Sequence, residues 1–98
     1  MKRLGNIHPG EVLLEEFLKP LNISAYRLSR DTKIPATRIS EILKKRRRVT
    51  ADTALRFSKY FGVTPHFWLG LQNDYDLEDE EREIVKELKT IPTLSVHS

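Results

Sequence analysis

Residues 25–44, AYRLSRDTKIPATRISEILK, decide how this chain is read. The apolar positions Leu28, Ile34, Ile39 and Ile42 stand six, five and three residues apart. No single helix carries that spacing on one face. Two short helices do, when each buries its inner face against the other across a turn at 32–35. Ser24 is placed to cap the first helix, its hydroxyl oxygen accepting an otherwise unpaired backbone N–H. Pro35 steers Ile34 out of the helical region, so the first helix stops before it. The same ring presets φ for the first turn of the second helix. That second helix, read as 36–44, turns Ala36, Thr37, Ser40, Glu41 and Lys44 away from the Ile39/Ile42 face. Short and polar side chains of this kind suit a helix whose outer face meets base edges in a major groove. An ordinary helical hairpin with a solvated face fits the same pattern, so the rest of the chain has to separate the two.

Charge favours the first reading. Between Arg27 and Lys59 eleven lysines and arginines accompany three acids, Asp31, Glu41 and Asp52. Between Asp74 and Lys89 the balance reverses, with eight acids beside Arg82, Lys86 and Lys89. A basic middle around a helix-turn-helix is the footprint of a polyanion binder. Five consecutive cations, Lys44, Lys45, Arg46, Arg47 and Arg48, would repel one another inside a helix, so most of them are expected in the loop that follows. The expected division of labour on double-stranded DNA has Ala36, Thr37, Ser40, Glu41 and Lys44 reading bases. Arg38, Lys45, Arg46, Arg47 and Arg48 would hold phosphates, which fixes register without reading sequence.

Working outward, His8-Pro9-Gly10-Glu11 reads as a helix start, with Leu13, Leu14, Phe17, Leu18 and Leu21 on one face and Pro20 as its end. The basic lead-in 1–7 before it is expected to be loosely ordered. Thr50 is the expected N-cap of a later helix whose inner face is Ala54, Leu55, Ser58 and Phe61, with Phe57 nearby and Gly62 closing it. Thr64-Pro65 opens a short hydrophobic helix. The acidic run 74–81 suits the N-terminus of a last helix, where the dipole favours carboxylates. Pro92 ends that helix. The reading is therefore all-α, five or six helices in a single domain 1–98, with a helix-turn-helix core 8–72, an acidic C-terminal helix 73–91 and a tail 92–98. Phe67, Trp68 and Leu71, with the stripe Leu77, Ile84, Val85 and Leu88, are too apolar to leave wet and are the expected homodimer surface.

Several function classes fall away. Ninety-eight residues, 39% hydrophobic and 32% charged, describe one soluble domain with a modest core. No apolar run approaches the roughly 20 residues needed to cross a bilayer, so no membrane association is expected. The absence of cysteine excludes disulfides and thiolate metal sites and fits a reducing cytoplasm. His8, His66 and His97 lack zinc-ligand spacing, and His8 is read as a capping or packing residue. Asp74, Asp76 and Glu78 alternate without the glycine a calcium loop requires. No phosphate loop, nucleophile elbow or paired-carboxylate signature is present, so no enzyme, metal or cofactor is expected.

Several blocks together resemble the HigA-type antitoxins: His8-Pro9-Gly10-Glu11; residues 15–21; residues 34–43; Arg47-Arg48-Val49-Thr50; Ala54-Leu55-Arg56-Phe57; residues 61–72; and Tyr75-Asp76-Leu77. The likeness runs from His8 to Leu77. It implies a phage-repressor-like (XRE-family) helix-turn-helix domain of five or six helices that dimerises and represses its own operon. It also implies a small, basic, mRNA-cleaving toxin as partner, for which Glu11, Glu15 and Glu16 on the first helix offer a face of suitable sign. A stand-alone regulator of the same fold without a toxin is the nearest alternative, and a basic RNA-binding adaptor a more distant one. The chain departs from the family where glycine is common, in the turn at Lys33 and after the recognition helix at Lys45. If either position needs φ above zero, a side chain there costs about 1 kcal/mol.

Overall fold

The computed structural model describes residues 6–95, so residues 1–5 of the basic lead-in and the end of the tail, His97 included, lie outside it. Six helices follow in order: α1 (9–21), α2 (Ala25–Thr32), α3 (Ala36–Leu43), α4 (Ala51–Phe61), α5 (Pro65–Glu83) and α6 (Val85–Leu88). No strand occurs among the described residues. The all-α reading and the helix count of five or six agree with this.

Local sequence explains most of the boundaries. His8 caps α1 through Nδ1, which accepts the Gly10 N–H at 2.9 Å, and Pro9 occupies the first turn. Ser24 caps α2 by accepting from Arg27 N–H, and Thr64 caps α5 by accepting from Phe67 N–H. Gly62 ends α4 at φ 77°, the left-handed position that glycine occupies without strain. Thr50 does sit at the N-cap of α4, but its hydroxyl makes no capping bond.

Pro20 does not end α1. The helix widens over Leu13–Leu18 and runs on through Lys19–Leu21, with Lys19 N–H donating five residues back to Leu14. A proline clashes with the carbonyl four residues earlier, and a widened turn relieves that clash. The end comes two residues later, where Asn22 takes φ 55°. Ile23 N–H then donates to the Leu18 carbonyl and Asn22 N–H to that of Lys19, a Schellman closure.

The core is built by every helix of the first three quarters of the chain. Leu13 and Leu18 come from α1, Leu28 from α2, Ile39 and Ile42 from α3, and Ala54 and Phe57 from α4. Ile34 and Val49 enter from the loops, and Trp68 from α5. Trp68 is the centre of an aromatic group, its ring 5.0 Å from both Phe17 and Phe57. The inner face of α4 is Thr53, Ala54 and Phe57, whereas Leu55 is 59% exposed. One residue is about 100° of helix, so the facing of Ala54 and Phe57 leaves Leu55 on the flank.

α5 corrects the expected division at 72/73. It continues unbroken from Pro65 to Glu83, and the acidic run occupies its second half, not the start of a separate helix. The helix breaks only at Ile84, where φ −112° and ψ 21° leave the helical region before α6. The stripe Leu77, Ile84, Val85 and Leu88 is therefore split across that break.

Candidate nucleic-acid interface

The helix-turn-helix is clamped on both sides of its turn. Thr32 Oγ1 donates to the Leu28 carbonyl and Ser29 Oγ to that of Ile34, each at 2.6 Å. Lys33 takes φ 61°, a left-handed conformation that costs a non-glycine residue about 1–2 kcal/mol. Arg56 of α4 supports the strained corner, its Nη1 donating to the carbonyls of Thr32 at 3.0 Å and Lys33 at 3.4 Å. The same guanidinium meets Asp52, so α4 ties down the end of α2 and its own first turn together.

α3 lies on this frame with Ile39 and Ile42 fully buried. Ala36, Thr37 and Lys44 are exposed, and Ser40 and Glu41 are half-buried. All five expected base-reading residues thus lie outside the core, on or at the end of one helix. Lys44, the last residue of the expected helix 36–44, is the C-cap, one residue beyond the observed end of α3. Lys45 follows at φ 64°, so the second departure from glycine also falls on a left-handed position. Arg46 N–H donates to the Glu41 carbonyl at 2.8 Å and Lys45 N–H to that of Ile42 at 3.0 Å, a second Schellman closure. It directs the cation run off the end of α3 as a loop, as expected.

The cations expected at phosphates divide into two kinds. Arg38 is half-buried and donates to Asp52 at 2.8 Å and to Thr53 Oγ1 at 3.4 Å, joining α3 to α4. These hydrogen bonds, Arg38 first and Arg56 second, hold the Asp52 carboxyl below the usual aspartate range. Lys45 lies 3.3 Å from Glu11 of α1, and Arg48 lies 2.8 Å from Asp76 of α5. Lys44, Arg46 and Arg47 make no ion pair among the described residues and are exposed.

The residues that hold this loop left little trace in the sequence. Gln72 is 2% exposed; its Oε1 accepts the Val49 N–H at 2.7 Å, and its Nε2 donates to Asp76 at 2.9 Å. A buried amide in α5 thus fixes both the backbone of the loop and the carboxylate that pairs with Arg48. His8 supports the same loop from the α1 side. It is 3% exposed and packs edge-on to Tyr75, with ring centroids 4.9 Å apart. Burial, then the charge of Lys45, keeps its imidazole below the ordinary histidine value, against a hydrogen bond with the Arg47 backbone and the charge of Asp76. Gly10 lets α1 approach closely, since a Cβ there would collide with the backbone carbonyl of Ile42.

The other expected surfaces are partly in place. Leu77, Val85 and Leu88 are 68%, 43% and 39% exposed, and Phe67 is 39% exposed, with Leu71 and Ile84 half-buried. Ile91 and Leu94, which the sequence reading passed over, extend this uncovered apolar set. Trp68 does not belong to it. At 0% exposure it is enclosed by the chain's own core and leaves nothing for a second copy to touch. On α1, Glu11 turns towards Lys45 and Glu15 pairs with Lys19 at 3.0 Å, while Glu16 is exposed without an ion pair. Of the three acids, only Glu16 is therefore without an ion pair among the described residues.

Among the described residues no group of three or more His, Asp or Glu is arranged to hold a metal ion, and no helix is long and apolar enough to cross a membrane.

Comparison with known proteins agrees with this geometry. Residues 14–66 match the Cro/C1-type HTH DNA-binding domain. Virulence-associated protein I of Dichelobacter nodosus is 47% identical over 77 residues, covering 79% of this chain and 71% of that protein. The Pseudomonas aeruginosa antitoxin HigA, solved with the higBA promoter, superposes with a TM-score of 0.88 at 35% identity, covering 93% of this chain and 100% of that one. An addiction module antidote protein of the HigA family from Coxiella burnetii gives a TM-score of 0.86 at 41% identity, over 94% and 100% of the two chains. With a helix-turn-helix held from both flanks and likeness over nearly its whole length, the chain belongs to the Cro/C1-type helix-turn-helix DNA-binding family, among the HigA-type antitoxins.

Proposed function

We propose that the protein is a homodimeric, sequence-specific DNA-binding repressor of its own operon and the antitoxin that neutralises an mRNA-cleaving toxin encoded with it. The observation that carries the DNA reading is the pairing of an exposed polar helix face with unpaired cations at the helix's end. Ala36, Thr37, Ser40, Glu41 and Lys44 read base edges, while Arg46 and Arg47 grip phosphates. Arg38 braces α3 against α4 instead of reaching the backbone, because Asp52 and Thr53 already hold its guanidinium. Two copies pair through Phe67, Leu71 and the apolar residues beyond Leu77, since one such domain reads too few base pairs to specify a site. The toxin docks away from α3, against Glu16, which is unpaired, and Glu15, whose exposed pair with Lys19 of the same helix a basic partner can displace. Its work is binding, not catalysis, in the cytoplasm, with no metal or cofactor.

The two classes of DNA contact fail differently. Thr37→Ala or Ser40→Ala costs roughly 1–3 kcal/mol on the upstream duplex and relaxes preference at one or two positions. Arg47→Ala weakens binding to every sequence alike and lowers the salt slope by about 1. Titration on the DNA upstream of the gene and on a scrambled duplex, at several salt concentrations, separates them. Relaxed preference from Arg47→Ala, with none from the other two, would put a different element in the groove. For the toxin, reversing Glu15 and Glu16 weakens co-purification with the neighbouring gene product and leaves DNA binding intact. Unchanged toxin capture moves the contact to another surface.

A further inference from the structure

The cation loop 44–50 is met by two carboxylates from two different helices. Glu11 reaches Lys45 from α1, and Asp76 reaches Arg48 from α5. Arg46 and Arg47 lie between them with no ion pair among the described residues. Asp76 is not a loose surface acid. Its Oδ1 accepts from Gln72, a fully enclosed amide whose other end holds the Val49 N–H, so Oδ2 is presented to Arg48 in a fixed direction. Both pairs remain largely open to solvent, with the Arg48 and Lys45 side chains 56% and 54% exposed. Exposed pairs of this kind add little to folding stability. A DNA phosphate, however, seeks the same two cations, and contacts of that type supply nearly all the affinity for non-cognate DNA.

We propose that Asp76 and Glu11 restrain the sequence-independent, electrostatic part of DNA binding by occupying Arg48 and Lys45. The inference rests on the DNA-binding reading above. The carboxylates compete with phosphate for the end cations of the loop, while the base-reading face of α3 is out of their reach. Binding to arbitrary sequence therefore loses two phosphate contacts. Binding to the cognate site loses the same two and keeps its base contacts, so the sequence-independent part of the affinity falls for both duplexes. Gln72 is the positioning residue that keeps Asp76 on Arg48.

The test uses the full chain with a scrambled duplex and with the DNA upstream of the gene, each titrated across a range of salt. Asp76→Asn keeps an oxygen for Gln72 and removes the charge. It tightens scrambled-duplex binding roughly three- to fivefold and steepens the salt slope by about 0.9, one extra phosphate contact. Glu11→Gln does the same through Lys45. Glu83→Gln removes one charge from the far end of α5 and leaves the slope unchanged, which separates local competition from net charge. Arg48→Gln combined with Asp76→Asn abolishes the gain, because the released cation is gone. A wild-type slope in Asp76→Asn and Glu11→Gln, with wild-type binding intact, overturns the proposal and leaves the DNA-binding reading standing. Wild-type protein that binds neither duplex at any salt overturns both.

Discussion

The two ends of α5 behave as if they belonged to different molecules. At one end, Trp68 and Gln72 are sealed among Phe17, Phe57 and the loop backbone. Past Tyr75 and Asp76 the same helix leaves the globule, and Leu77, Val85, Leu88, Ile91 and Leu94 stand uncovered. The chain accordingly has a radius of gyration of 17.0 Å and a long dimension of 58 Å, against about 13 Å expected for the radius of a compact domain of this size. The difference teaches what each apolar residue is for. The buried ones, down to Trp68, hold the fold, and the exposed ones from Leu77 onward contribute little to it. Continuity of one helix through both regions means that a partner gripping the arm pulls on the element that positions the cation loop.

The sharpest way to break this contrast is to truncate one residue in each region. Trp68→Ala should cost roughly 3–5 kcal/mol, a large share of the roughly 5–15 kcal/mol that holds a domain folded. Leu88→Glu should change the stability of the isolated chain by no more than about 0.5 kcal/mol while abolishing self-association. Urea denaturation and sedimentation velocity on the two variants read both quantities. Comparable stability losses would make the arm part of the core, and a Leu88→Glu dimer would move the interface.

A smaller effect is expected where α1 meets the end of α3. Gly10→Ala places a Cβ against the Ile42 backbone carbonyl, which cannot yield as a flexible side-chain tip would. The expected cost is about 1–3 kcal/mol, with DNA affinity falling alongside because the displaced end of α3 carries the loop. Thermal melts and titration on the upstream duplex should show both losses. A stable variant with full affinity would mean that α1 can retreat without disturbing the interface.

The mildest test is of pH. Burial lowers the His8 pKa from its ordinary 6.5, so the unfolded chain binds the proton more readily than the folded one. Its contribution to stability is therefore whole above pH 6.5 and is lost as the pH falls from there through the folded value. Protonation would also set an N–H on Nδ1 against the Gly10 N–H that it now accepts. His8→Asn, which can still cap α1, should flatten the stability–pH curve below pH 6.5. An unchanged slope there would place the titrating group elsewhere.

Much of the recognition half was legible because its signals are local. Leu28, Ile34, Ile39 and Ile42 announce two helices by spacing alone, and Ser24 and Pro35 mark their starts in adjacent residues. Thr64-Pro65 and Gly62 did the same further on. The misreadings share one cause, that a residue's local signal was overridden by something distant or by the wider helix. Pro20 reads as a stop, yet the widened turns before it absorb its ring. The acidic run reads as a helix start, yet it continues α5, which no residue at 73 interrupts. Trp68 reads as part of a dimer surface, and composition has no means of telling that from a core position.

The sequence by itself determined the all-α architecture, the placement of the turn, the polar face of α3 and the concentration of cations behind it. These depend on backbone preferences and on neighbours three or four residues away. Only the tertiary structure decided which cations are free. Arg38 with Asp52, Lys45 with Glu11 and Arg48 with Asp76 join residues from 14 to 34 positions apart. Each of those acids, seen along the chain, looks like ordinary solvated charge. A carboxylate finds its cation through the packing of whole helices, and that packing is fixed by the buried faces of Leu13, Ile42, Phe57 and Trp68, not by the charges it brings together.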